Sequence, residues 1–139
     1  MHRLIRRELL VLAIVLTGAC SNNTTITTPT PTTPTIVTDT LTGILTRNGA
    51  TTFPFAVPSA GTVTATLASL TPDSTLVIGL GIGTWNGAAC QMILANDRAI
   101  QGTAVTGNIS SAGNLCVRVY DAVGSIVDPQ SYQINVTHP

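Results

Sequence analysis

Lysine is absent from this chain of 139 residues, and charged side chains of every kind make up only 9% of it. Its cations are six arginines, and three of them (Arg3, Arg6 and Arg7) stand at the amino terminus. With no basic patch to neutralise a run of phosphates, nucleic acid is excluded as a partner. Aromatic residues are scarce as well, at 4%, and histidine occurs only as His2 and His138. The many Ser and Thr hydroxyls therefore have no nearby histidine base, and zinc has too few ligands. Past residue 20 the acids are Asp39, Asp73, Asp97, Asp121 and Asp128, scattered without a close pair. No later apolar run approaches the ~20 residues that span a bilayer, and no basic amphipathic helix is present. The composition points away from an enzyme and implies no cofactor.

What is present begins with an address. Residues 1–19 follow the three-part plan of a secretory signal. A positive end, Met1-His2-Arg3-Leu4-Ile5-Arg6-Arg7, leads into an apolar run from Leu9 to Leu16, which is closed by Thr17-Gly18-Ala19 before Cys20. That run predicts a signal helix too short to be a mature membrane span. The stretch Leu16-Thr17-Gly18-Ala19-Cys20 resembles the lipobox of bacterial lipoprotein signals. The resemblance implies a diacylglyceryl group on the Cys20 thiol and cleavage just before it, with the bilayer as a partner through acylated Cys20. It departs from the pattern at Thr17, where the family usually has Leu; here Leu16 stands one step further back. An ordinary signal with an incidental cysteine is the alternative, and Arg6-Arg7 also fits a twin-arginine export signal. Ser21, rather than Asp, after the cysteine leans toward the outer membrane over the inner one.

Residues 20–39 are dominated by Thr and Pro, with Pro29, Pro31 and Pro34 at close intervals. Repeated proline removes amide donors and disfavours helix, which predicts a disordered, extended tether. Beyond residue 20, three arginines against five aspartates leave a net charge of −2. One domain, residues 40–139, remains.

From residue 40 onward the apolar period is two. Phe53, Phe55 and Val57 alternate with smaller or polar neighbours, as do Val63, Ala65 and Leu67. The same holds for Leu76, Ile78, Leu80 and Ile82, for Leu115, Val117 and Val119, and for Tyr132, Ile134 and Val136. Turn residues such as Asn48-Gly49, Ser59-Ala60-Gly61, Asn86-Gly87 and Asp128-Pro129 bound these runs. Further strands are expected at 41–45 and 104–109, whereas 84–98 reads as an irregular segment. About seven or eight short strands with one apolar face each bury those faces best as an antiparallel two-sheet β-sandwich.

The order of these segments resembles the bacterial pre-peptidase C-terminal domain, a jelly-roll-like β-sandwich. The matching stretches are Gly43-Ile44-Leu45, Phe53-Pro54-Phe55-Ala56-Val57, Gly61-Thr62-Val63-Thr64-Ala65-Thr66-Leu67, Gly113-Asn114-Leu115-Cys116-Val117-Arg118-Val119-Tyr120 and Tyr132-Gln133-Ile134-Asn135-Val136. That family often carries an acidic strand where this chain has Asp73-Ser74-Thr75-Leu76-Val77-Ile78-Gly79. A single carboxylate there is too few for a calcium site.

Three groups of residues stand out as candidate sites. Cys90 and Cys116, in an exported domain, are expected to form a disulfide contributing roughly 3–4 kcal/mol. Cys116 lies on the strand face opposite that of Leu115, Val117 and Val119, so the bridge would pin 84–98 across the outside of the sandwich. Gly79, Gly81 and Gly83 lie on one face of their strand and leave it flat. Either the 84–98 segment folds over them, or a ligand or partner backbone does. Their spacing is not that of a phosphate-binding loop. Trp85, with Arg118 and Tyr120 on an outward strand face, could anchor a sugar or a protein, or simply pack. The expected role is a membrane-anchored lipoprotein whose sandwich binds an envelope protein or a polysaccharide. The alternative is an assembly component docking through the glycine-lined face or an edge strand.

Overall fold

The computed structural model describes residues 33–139, and among them no helix occurs. The expected signal helix, Cys20 and most of the tether lie outside these residues. Eight strands follow in order: β1 (Val37–Leu45), β2 (Ala50–Val57), β3 (Gly61–Thr71), β4 (Ile78–Trp85), β5 (Cys90–Ala99), β6 (Ala104–Ile109), β7 (Gly113–Tyr120) and β8 (Gln130–His138). They form two antiparallel sheets of four, β1-β8-β3-β6 and β2-β7-β4-β5. The first strand pairs with the last, the second with the seventh, the third with the sixth and the fourth with the fifth. One long hairpin, turning at Asn86–Ala89, has been rolled up so that its arms divide between two sheets. This is the double Greek-key wind of a jelly roll.

Alternation decides which faces meet. Val63, Ala65 and Leu67 of β3 and Ile134 and Val136 of β8 point inward against Ile78 and Leu80 of β4 and Val117 and Val119 of β7. Phe53 of β2 and Tyr132 of β8 meet edge-to-face across the core, ring centroids 6.4 Å apart. Among the described residues the buried core runs from Leu45 to Val136, with Leu41 of β1 packed against it.

Two boundaries differ from the sequence expectation. β1 begins at Val37, because Val37, Thr38 and Asp39 continue the ladder opposite His138, Thr137 and Val136. Pro34, the last proline before the strand, stands outside it, so nothing removes a donor from β1. The segment expected to be irregular is mostly β5, paired with β4 from Ile78↔Ala99 to Trp85↔Cys90 with two slips of register. Gln91 to Ala95 show no alternation, because this strand covers β4 with one side and faces solvent with much of the other.

The two ends of the sandwich are built differently. At the end carrying the β1–β2 and β7–β8 connections, side chains tie loops to backbone. Asp121 accepts from the Asn48 and Ser125 amides at 3.0 and 3.1 Å. Buried Gln130 accepts from the Asp73 amide at 3.1 Å, and Gln101 from that of Leu70 at 2.9 Å. Asn48 there adopts a φ of 55°, the left-handed region that Asn tolerates, in the turn closed by Gly49 N–H to the Thr46 carbonyl at 2.9 Å. At the opposite end, with the β4–β5 and β6–β7 connections, the ties are local: the Asn86 side chain accepts from the Ala88 and Ala89 amides at 2.9 and 2.8 Å.

Candidate functional site

β4 supplies the floor of the elaborated face. Its glycines alternate outward, each beside an outward residue of β7: Gly79 opposite Tyr120, Gly81 opposite Arg118 and Gly83 opposite Cys116. All three glycines are buried. A Cβ on Gly79 would overlap the Tyr120 ring. One on Gly81 would overlap the Met92 methyl and stand 2.6 Å from the Leu94 carbonyl oxygen. One on Gly83 would overlap the Gln91 backbone and stand 2.9 Å from the Met92 Cα. The flat strip is therefore filled from within the chain, by β5 and by Tyr120. The 84–98 segment, as β5, lies against Gly81 and Gly83, whereas Gly79 is covered by Tyr120 of β7.

This roll-over is also what allows the disulfide. β5 and β7 are separated by β4, and alternate strands of a flat sheet stand roughly 9.5 Å apart. Cys90 and Cys116 nevertheless have Cα atoms only 5.8 Å apart and are bonded. The start of β5 has curled across side-chain-free Gly83 to reach β7.

Tyr120 and Arg118 lie together at the other end of β7. The Tyr120 hydroxyl donates to the Asp97 carboxylate of β5. Burial, and then this hydrogen bond and the Asp97 charge, push the Tyr120 phenol up to about 12. Arg118 holds its guanidinium carbon 5.9 Å from the Tyr120 ring centroid, within cation–π range. Its Nε is buried without a hydrogen-bond partner. Trp85 is not part of this group. It is half-buried at the far end of β4, opposite Cys90 in the ladder, six residues or about 20 Å from Gly79. The aromatic residues thus form no joint platform.

The carboxylates at the loops serve structure. Asp73 is held below the ordinary carboxylate range by the Thr75 hydroxyl, at 2.7 Å, and the Thr75 amide, at 2.9 Å. Partial burial pushes Asp121 up, but the amides of Asn48, Ser125, Ile126 and Gly124 outweigh it and hold that group low as well. Both are ionised turn caps, unsuited to donating a proton near neutrality. Among the described residues no three potential metal ligands cluster.

Sequence reading missed one feature, a groove at the open side between the edge strands β5 and β6. A hollow of about 100 Å³ is lined by Val63, Ile82, Ile93, Leu94, Ile109 and Leu115, together with Gly83, Thr84, Gly107 and Asn108. Gly107 has no side chain to close the gap, and Leu94 leans over it. A polar shelf of about 280 Å³ adjoins it, formed by Ser110, Ser111, Asn114 and neighbours, and shares Thr84, Asn108, Ile109 and Leu115 with the hollow. No charged residue lines either part. On the rim Ile93 is 67% and Leu94 38% exposed. The available signal was the unbroken apolar run Met92-Ile93-Leu94, too rich for an irregular surface loop.

An eight-stranded jelly-roll sandwich with a rolled edge and a neutral groove is the class of protein the structure defines. No family model matches the chain, and no curated protein matches its sequence. In fold it is similar to PliG of Aeromonas hydrophila, a periplasmic lysozyme inhibitor of g-type lysozyme. The TM-score is 0.52 at 15% identity, covering 72% of this chain and 84% of that one. At such identity the likeness is one of fold.

Proposed function

We propose that this chain is an exported protein of the bacterial cell envelope whose sandwich binds another protein, with a lipid on Cys20 as its membrane anchor. The observation that carries the binding reading is the groove between β5 and β6. Two adjacent aliphatic side chains exposed at the rim of an uncharged hollow, beside a shelf of Ser and Asn, have the make-up of a protein interface: an apolar centre and a polar margin. The hollow is smaller than the roughly 150 Å³ apolar cavity that accommodates benzene, a size suited to one aliphatic side chain of a partner. A polysaccharide would call for a flat aromatic platform, and Trp85 and Tyr120 stand too far apart to make one. The fold likeness to a periplasmic inhibitor whose printed name gives a protein as its target supports the same reading. The signal-like residues 1–19 and the lipobox-like Leu16-Thr17-Gly18-Ala19-Cys20 support export and anchoring. The jelly-roll order suits the resemblance to pre-peptidase C-terminal domains, which adds a fold rather than an activity.

The test immobilises the oxidised chain from Ser21 onward. It is challenged separately with g-type lysozyme, with the host's envelope proteins and with its surface polysaccharides. Retention of one defined protein, lost in Leu94→Asp, is the expected result; retention of polysaccharide alone refutes protein binding. Anchoring is checked by fractionation, where Cys20→Ser is expected to move the chain out of the membrane pellet. A variant that stays in the pellet ends the lipid reading. The second reading, an assembly component of an envelope complex, draws its support from the edge of β1, which no strand among the described residues covers.

A further inference from the structure

Each four-stranded sheet leaves two edges, and an edge strand offers unpaired N–H and C=O groups to any other extended chain. Three of the four edges are guarded. β2 carries Pro54, which has no N–H to give. β5 is rolled, slips twice in its pairing with β4, and carries Asp97 and Arg98. β6 is only six residues long. β1 has none of these protections. Its nine residues pair with β8 in unbroken register from Val37↔His138 to Leu45↔Gln130, and it contains no proline. Its one charged residue, Asp39, is turned back over β8 to His138 Nε2 at 3.1 Å, away from the free edge.

The outward side chains of this strand are Thr38, Thr40, Thr42 and Ile44, and the exposed Ile36 stands one alternate step before Thr38, just outside the strand. That order reads the same in both directions about Thr40. An antiparallel copy with Thr40 opposite Thr40 sets Ile36 against Ile44 twice, and Thr38 against Thr42 twice. Ile36 and Ile44 are each 64% exposed in the single chain. Cross-strand apolar and Thr–Thr pairs are the units that stabilise such ladders. On the inner side the same register places Asp39 opposite Leu41, so the two carboxylates never face each other.

We propose that β1 is a self-association edge: two copies of this chain pair through antiparallel β1 strands about a two-fold axis at Thr40. Their sheets become one continuous sheet of twice the width, an isologous contact of the commonest symmetry. A second copy is the occupant because the palindromic order lets the strand match its own sequence at each of these positions in a single register. The inference goes beyond the groove and does not depend on it.

Sedimentation velocity over a concentration series, on the oxidised chain from Ser21 onward, tests this directly. The unmodified chain is expected to dimerise as concentration rises. Ile36→Lys with Ile44→Lys sets lysine against lysine across the axis, and Ile36→Glu with Ile44→Glu does the same with carboxylates. Each is expected to weaken the dimer about tenfold or more, and an equimolar mixture of the two to recover it. Both positions are exposed, so folding is retained, as far-UV circular dichroism would verify. As a second readout, Thr40→Cys is expected to oxidise to a covalent dimer well ahead of Thr106→Cys on β6. A chain that stays monomeric at its highest soluble concentration, or a dimer indifferent to these changes, overturns the proposal. No partner protein enters the experiment, so either outcome leaves the groove reading to be judged by its own test.

Discussion

The two sheets of the sandwich share an apolar inner face and differ on the outside. On β1-β8-β3-β6 the outward positions are nearly all Thr, Asn or Gln. Thr38, Thr137, Thr64 and Thr106 stand in one row across all four strands. Neighbours in this array hydrogen-bond to one another, Thr64 to Thr106 at 3.1 Å, Thr62 to Asn108 at 2.9 Å and Thr40 to Asn135 at 3.3 Å. On β2-β7-β4-β5 the outward positions of β4 are glycines, β5 lies over them, and a disulfide spans the result. Where every outward position carries a side chain, the strands stay side by side. Where three alternate positions carry none, the neighbouring strand rolls onto its own sheet, and the edge becomes a second layer. The groove arises at the margin of that roll, because β5 cannot both cover β4 and close against β6.

Several substitutions would break or sharpen this contrast, beginning with the largest. Replacing both Cys90 and Cys116 with Ala is expected to cost about 3.5 kcal/mol, from the loop of 26 residues that the bond closes. Urea denaturation of oxidised protein measures it, and a loss near zero would mean that β5 stays rolled without its clasp. Gly83→Ala is expected to cost about 3 kcal/mol or more, because the added methyl meets Gln91 and Met92 backbone that has nowhere to go. Gly79→Ala has the Tyr120 ring as its nearest neighbour, a side chain that can swing aside where backbone cannot, and about 1 kcal/mol is expected. Equal melting temperatures for these two variants would contradict the roll-over.

The Tyr120–Asp97 bond ties β7 to the rolled strand, and its effect depends on pH. The folded phenol titrates at about 12, above the ordinary value of 10.0, so folding favours the protonated form. Its contribution is complete below pH 10 and disappears as pH rises through 12. Asp97→Asn removes the carboxylate charge and is expected to lower the phenol's titration, read by ultraviolet absorbance, while burial still holds it above 10. An unchanged titration would show that Asp97 does not face Tyr120 in solution.

The smallest effect is expected in the plain sheet. Thr64→Val exchanges one exposed hydroxyl bond for a side chain of equal strand preference, and the change should stay within about 0.5 kcal/mol. A loss comparable to that of Gly83→Ala would mean that the threonine array is structural after all.

Most strands were legible because a half-buried strand writes its two faces into alternate residues. Phe53-Phe55-Val57, Val63-Ala65-Leu67 and Tyr132-Ile134-Val136 all lie within observed strands, and the strand expected at 104–109 is β6 as read. The 84–98 segment was opaque for the complementary reason. β5 rests on glycine backbone instead of interlocking side chains, and a surface of that kind imposes no alternation on what covers it. The candidate residues divided in the same way. Cys90 and Cys116 were legible as a pair, because two cysteines in one domain leave a single pairing. Asp97 gave no sign of Tyr120, from which 23 positions separate it, and the groove needed β5 and β6, edge strands of different sheets, to be brought side by side.

Alternation, turn residues and the pair of cysteines determined by themselves that the residues from 40 onward form a β-sandwich with a disulfide. These are local properties, set by which face of a strand is buried and where the chain can turn. Only the tertiary structure decided which strands became neighbours, which edge was left unguarded, and that three glycines would be covered by the chain itself. Those outcomes depend on contacts between residues far apart in sequence, whose meeting no local pattern specifies.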